Sequence, residues 1–324
     1  MSDRPGKVVG RHSGFPRSVP VNRPGAPEFH PKYGLLCLYI SETMARHMKG
    51  SASVFSMLES GPMEVRLYPN SSRPGVGLMP RREGQRPHLT QHARHCPVLE
   101  AGSFLGYLVY PPLKPYERFH IEFDGEGHYQ LSFYITTPEK RVEQVFSFTL
   151  SLPVGSIGKA KEEVVMTMKN PPITEAMASD IAKTFMNPND TGTPAGGIAL
   201  RGATNFQTPA GWDTVYSPVL NMIERPIAPM LSVRVETDWY PHETEFRYVL
   251  QQGEGISGEH SIPIGQVFFV PREEITMRSC TETEIAAIGE AAAAFRKEKA
   301  GLTQTTNYGL QYSPLYSRRS SKTK

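Results

Sequence analysis

Ten short segments between Val65 and Pro271 alternate apolar with polar residues or run apolar, and turn-forming residues separate them. They are VRLYP (65–69), FLGYLVY (104–110), FHIEFD (119–124), YQLSFYI (129–135), VFSFTLSL (145–152), GGIAL (196–200), GWDTVYSPVL (211–220), LSVRVETDWY (231–240), TEFRYVL (244–250) and GQVFFVP (265–271). A period of two sends successive side chains to opposite faces of a strand. Repeated this often, it commits the chain to a large, mostly antiparallel sheet system. The DGEG at Asp124–Gly127 reads as a hairpin turn between two of the strands.

Helical signals are few. SETMARHMKG (41–50) opens on a serine and closes on glycine, and ITEAMASDIAKTFM (173–186) is amphipathic. TETEIAAIGEAAAAFRKEK (281–299) is acidic in its first turns and basic in its last, as the helix dipole favours. Its alanine-rich face is expected to pack on the sheet or on a twin. The fold class is therefore α+β, β-rich, with a C-terminal helix. The 324 residues divide into a mobile N-terminal arm (1–30), a single β-rich domain (31–300) and a flexible C-terminal tail (301–324). Three spaced tyrosines in the tail suit docking on a second subunit, a homodimer, although disorder is the commoner reason for such a composition.

Charge and cysteine usage exclude several classes of function. Lys and Arg number 35 against 32 Asp and Glu, a net +3 that lacks the basic excess of a nucleic-acid binder. No apolar run approaches the roughly 18 residues of a membrane span, and the N-terminus has no apolar core of a secretion signal. Cys37, Cys96 and Cys280 are odd in number and far apart, which suits a reducing compartment, so the cytoplasm is expected. Cys37 reads as a small buried hydrophobe and Cys280 as a linker residue before the last helix.

The stretch PHLTQHARHCP, Pro87–Pro97, concentrates three of the ten histidines and one cysteine. Pro87 suits the first turn of a helix, while Pro97 disfavours helical geometry at Cys96, so a helix here has about two turns. On it His88, His92 and Cys96 recur every four residues on one face, with His95 beside them. Eight helical residues rise roughly 12 Å against metal bonds near 2 Å, so His88 and Cys96 cannot reach one ion. A zinc site would need further ligands, such as His120, His128 or His242. A haem fits better, with His92 on the iron and Cys96, roughly 6 Å along, at the porphyrin edge. A solvated basic loop, with Arg81, Arg82, Arg86 and Arg94 around it, is the competing account.

HARHC, His92–Cys96, resembles the HxxxC of saframycin-type tyrosine-derivative hydroxylases, bacterial enzymes that hold haem through one thioether bond and a histidine. The resemblance implies His92 as axial iron ligand, Cys96 as thioether residue, and peroxide-driven hydroxylation of an aromatic amino-acid derivative. A second likeness is broader. HCPVLEAGSFLGYLVYPP, the Gly211–Trp212 pair, VETDWYPHETEFRYVLQQGEG (235–255) and GQVFFVP resemble an uncharacterised bacterial family met near natural-product gene clusters, which implies a biosynthetic role.

ETDWYPHETEF concentrates Glu236, Asp238, Trp239, His242, Glu243 and Glu245 around a turn. Carboxylates beside a histidine suit acid–base work if burial shifts them. A packed corner flanked by solvated charges is the commoner meaning of such a turn, with Trp239 and His242 as first candidates for a pocket wall. His128, after a glycine, places an imidazole at a strand start. Together these readings predict a haem-dependent oxygenase or peroxygenase acting on an aromatic substrate with peroxide or dioxygen. His47, His88 and His128 are then eligible as the distal imidazole that assists O–O cleavage. The alternative is a cofactor-free protein that binds a small ligand or serves assembly.

Overall fold

The computed structural model describes residues 63–84, 96–152, 160–186, 194–222 and 230–305, together with 307, 309 and 311–320. The expected N-terminal arm, the helix at 41–50, Cys37, His47, His88 and His92 lie outside the described residues. Every strand ladder among the described residues is antiparallel.

The largest sheet has five strands in the order β13 (Gly255–Glu259), β3 (Glu117–Phe123), β4 (His128–Thr136), β5 (Val142–Ser151) and β6 (Lys161–Met166). The DGEG turn joins β3 to β4 as expected. Asp124 Oδ1 accepts from the backbone N–H of Glu126 and His128, and Gly125 and Gly127 take positive φ of 94° and 79°. Alternation along β4 turns Tyr129, Leu131 and Phe133 inward, where Phe133 stacks on Phe146 of β5 at 5.2 Å.

Three smaller sheets complete this part of the chain. β11 (Val233–Val235), β9 (Trp212–Ser217), β14 (Gly265–Pro271) and β2 (Tyr107–Val109) form one. β10 (Met230–Leu231), β12 (Glu245–Val249) and β7 (Gly197–Arg201) form another, and β1 (Arg66–Pro69) pairs with β8 (Thr204–Gln207). The segment 231–240 is thus not the one strand its alternation suggests. It changes sheets at Ser232, leaving β12 as partner for β9, and then turns.

Of the helices, α1 (Pro97–Ser103) is absent from the sequence reading, which gave FLGYLVY wholly to a strand. Pro97 opens it, and Phe104 closes it by donating its backbone N–H to the carbonyls of Glu100 and Gly102. α2 (Glu175–Phe185) follows its prediction, with Thr174 as cap. It lies against β5, β6 and β7, and Phe185 meets Phe119 of β3 at 4.4 Å. One apolar cluster joins residues of the five-stranded sheet, α2, β7, β9, β12 and β14. α3 (Glu282–Gly301) carries a full capping box between Thr281 and Glu284, yet none of its residues is buried, so its expected packing on the sheet does not occur. Beyond it the tail holds a paired β15 (Gln304–Thr305) and β16 (Gln311–Tyr312) and a short α4 (Leu315–Ser320), whose Leu315 is buried. Among the described residues no helix is long and apolar enough to cross a membrane.

Candidate functional site

Cys96 is extended (φ −80°, ψ 111°), partly exposed and in no disulfide. Its helix runs forward from Pro97. Cys96 itself is therefore not helical, and the four-residue spacing to His92 does not by itself put the thiol one turn above the imidazole. Among the described residues no group of three or more His, Cys, Asp or Glu side chains is arranged to hold a metal ion.

His128 is exposed at the start of β4, and its Nδ1 lies 2.9 Å from Ser151 Oγ, its partner across the β4–β5 ladder. A cleft of about 380 Å³ beside it is lined by Glu122, Asp124, Gln130 and Thr149 among others. Among the described residues, none of the other predicted site residues (Cys96, Trp239, His242) lines that cleft. His120 lies between Ser257 Oγ (2.8 Å) and Glu122 Oε1 (3.1 Å).

The segment from Trp239 to Phe246 gathers more. Gly202 makes the approach: a methyl there would meet Thr244 and Val109, so only glycine lets the chain at Thr244 lie against β7. The backbone seals the contact, Gly202 N–H donating to the Thr244 carbonyl at 2.9 Å. Four side chains from elsewhere then grip the segment. Tyr68 donates its hydroxyl to the His242 carbonyl at 3.2 Å, Asn205 Oδ1 accepts from Thr244 N–H at 2.8 Å, and Ser71 donates N–H and hydroxyl to Glu243 Oε1. Arg201 reaches Glu243 at 3.1 Å and Glu245 at 3.6 Å.

Rings continue the cluster from the surface inward. Trp239 is 66% exposed and lies 5.8 Å from Tyr240, whose ring stacks on His242 at 5.5 Å. His242 in turn meets the edge of Tyr216 at 6.2 Å, and Tyr216 is fully buried. Trp239 and His242 thus belong to one aromatic run, but the member inside the protein is Tyr216.

The carboxylates of this region are mostly tied down. Asp213, 2% exposed, is held by Arg234 and Arg272. Desolvation pushes the Asp238 carboxyl up, but hydrogen bonds from Gly211 N–H and Arg272 outweigh it and hold the group below its ordinary range. Neither is poised as a general base.

The hydroxyls behave differently. Tyr216 Oη and Thr244 Oγ1 are both buried, and among the described residues neither has a well-aligned hydrogen-bond partner, although the two face each other closely enough for Thr244 to moderate the phenol. Burial pushes the Tyr216 phenol far up, and the neighbouring Tyr68 and Glu245 add to the shift. Tyr68 is raised as well, first by burial and then by Glu243. A buried hydroxyl left wholly unmatched costs about 1–3 kcal/mol, so this poorly matched pair has capacity for one further polar partner.

Tyr68 connects this corner to a cleft of about 280 Å³. Leu67, Val76, Leu78, Met79 and Ala203 give it a largely apolar wall. Gly77, at φ 105°, brings the loop backbone against Ala203 and the Pro111 carbonyl. Sequence reasoning missed Tyr68, Ser71, Arg201, Asn205 and Tyr216. Only the tyrosine in VRLYP, an aromatic hydroxyl at a strand end, offered any signal. No family model, curated protein or solved structure matches the chain.

Proposed function

We propose that the chain binds a small aromatic molecule in the cleft beside Tyr68, with the polar end of that molecule toward the Tyr68–Tyr216–Thr244 hydroxyls. The buried, poorly matched Tyr216–Thr244 hydroxyl pair behind Tyr68, which itself lines the cleft, carries this reading. The cleft sits at the lower end of ligand-site volumes, roughly 300–1,000 Å³, and has the usual mixture of apolar wall and few polar contacts. Because Tyr68 spends its proton on the His242 carbonyl, its oxygen is left as an acceptor. The ligand therefore carries an N–H or O–H donor, as an amino-acid-derived phenol or indole does. Calorimetry with tyramine and tryptamine tests this. Binding by the wild type that is lost in Met79→Trp, which fills the cleft from an exposed position, and weakened about tenfold in Tyr68→Phe supports the reading. Equal binding by all three proteins would overturn it.

A second reading makes the same substrate class the target of haem-dependent oxidation in bacterial specialised metabolism. The partly exposed Cys96 thiol directly after HARH supports it. Cys96 would hold the porphyrin edge through a thioether. His92 would supply the iron ligand. When bound, the group supplies activation of peroxide or dioxygen. Protein expressed with ample haem should show a Soret band, and the peptide containing Cys96 should carry the added haem mass. Cys96→Ala should release the pigment into acidic organic solvent. A colourless protein eliminates this reading and leaves the binding function standing.

A further inference from the structure

The geometry points to a second copy of this chain as the partner of α3, bound antiparallel along its Ile285–Ile288–Ala292 face. The helix has 20 residues, about 30 Å of length, and none is buried. Most helical stability in a folded protein comes from packing an apolar face, which here is not buried by any partner among the described residues. Ile285 and Ile288 are 59% and 60% exposed, and Ile275 and Met277, in the wholly exposed linker before the helix, are 86% and 94% exposed. Four large apolar side chains in so short a stretch exceed the scattered exposure that surfaces normally show.

The chain's own α4 touches only the C-terminal end of this face and leaves Ile285 and Ile288 exposed. Arg319 lies over the Phe295 ring at 5.3 Å and pairs with Glu298. At about 100° per residue, Phe295 lies only about 20° from Ile288 and so forms the C-terminal part of the stripe of Ile285, Ile288, Ala292 and Lys299, while Glu298 lies farther round the helix. Among the described residues nothing covers Ile285 and Ile288, and Gly289 beside Ile288 allows close approach.

Charge selects the occupant. Glu282, Glu284 and Glu290 occupy the first half of the helix, and Arg296, Lys297 and Lys299 the last. In an antiparallel pair centred on Glu290, Ile285 meets Phe295 of the other copy, Ile288 meets Ala292, and Glu284 meets Arg296; Glu282 comes level with Glu298 but between Lys297 and Lys299, so the acidic half still faces the net-basic end. A parallel pair would align like charges instead. The helix dipoles also oppose head to tail only in the antiparallel arrangement. One helical face is narrow beside the roughly 800 Å² per partner of a standard interface, so the dimer is expected to be weak and concentration-dependent.

Sedimentation of the full chain across the micromolar range should show mass rising from 36.1 kDa toward twice that value. The double variant Ile285→Glu/Ile288→Glu should stay monomeric with an unchanged melting transition, because neither side chain is part of the core. Direction is read separately. Cys280 is exposed at the helix N-terminus, and Lys299→Cys places a second thiol at the far end, roughly 28 Å away in the same chain. A short bismaleimide should therefore join Cys280 of one copy to position 299 of the other. A protein monomeric at all concentrations, a dimer that survives the isoleucine substitutions, or Cys280–Cys280 as the dominant cross-link would each overturn the inference.

Discussion

Arg73→Met tests whether the loop that walls the proposed ligand cleft is held by a desolvated ion pair. Arg73 and Glu117 are 9% and 7% exposed, and Arg73 Nη2 lies 2.9 Å from both Glu117 oxygens. Arg73 Nη1 donates to the Pro112 carbonyl at 2.7 Å, and Lys114 N–H donates to Glu117 at 2.8 Å. Asn70 Oδ1 starts the loop by accepting from the N–H groups of Ser72 and Arg73, both at 3.0 Å. Methionine keeps most of the arginine stem's volume and removes its charge, which strands the Glu117 carboxylate. Breaking one half of a buried pair costs about 3–5 kcal/mol. At roughly 2–4 °C per kcal/mol for a unit of this size, melting should fall by on the order of 10 °C. Arg73→Met/Glu117→Leu removes both charges and should recover most of the loss, since an apolar replacement of a buried pair is often close to neutral. Urea unfolding of the two single variants, the double variant and the wild type gives the coupling. A loss below about 1 kcal/mol in Arg73→Met, the size of an exposed pair, would refute the reasoning. So would a double variant no more stable than the single.

Two further outcomes follow from single sites. The Arg278 side chain, and then the Thr281 backbone and hydroxyl, hold the Glu284 carboxyl down to about 2 from an ordinary 4.5. A folded value below the unfolded one means that its contribution to the α3 cap is complete above pH 4.5 and fades as pH falls toward 2. Far-UV circular dichroism should show helix loss in that window, and Glu284→Gln should flatten it; the same acid limb in both proteins would exclude Glu284 as its source. Gly106 sits at φ 71° where a methyl would strike the Val267 carbonyl of β14, whereas Gly211, at φ 80°, has open space around it. Gly106→Ala should therefore cost about 2–4 kcal/mol and Gly211→Ala about 1–2 kcal/mol in chemical unfolding. Equal losses would show that backbone conformation alone decides.

How much of this was legible depended on how local each signal is. The β3–β4 hairpin, α2 and α3 were readable because their signals are local: Asp124 with Gly125 and Gly127, the amphipathic period of 173–186, and the acidic first and basic last turns of 281–299. The division of 231–240 between two sheets was not readable, because the pairings of Leu231 with Arg247 and Val233 with Tyr216 are set by distant strands. The candidate site shows the same limit. ETDWYPHETEF stood out by its density of rings and charges, yet Tyr216 looks like any inward tyrosine of a strand. Its importance arises only when Gly202 admits the chain at Thr244 beside it. What makes the corner reactive or receptive is therefore a meeting of β1, β7, β8, β9 and the approach to β12, each contributing one ordinary residue. A substitution at Gly202 should for this reason damage ligand binding more than one at exposed Trp239, although the tryptophan is the more conspicuous residue in the sequence.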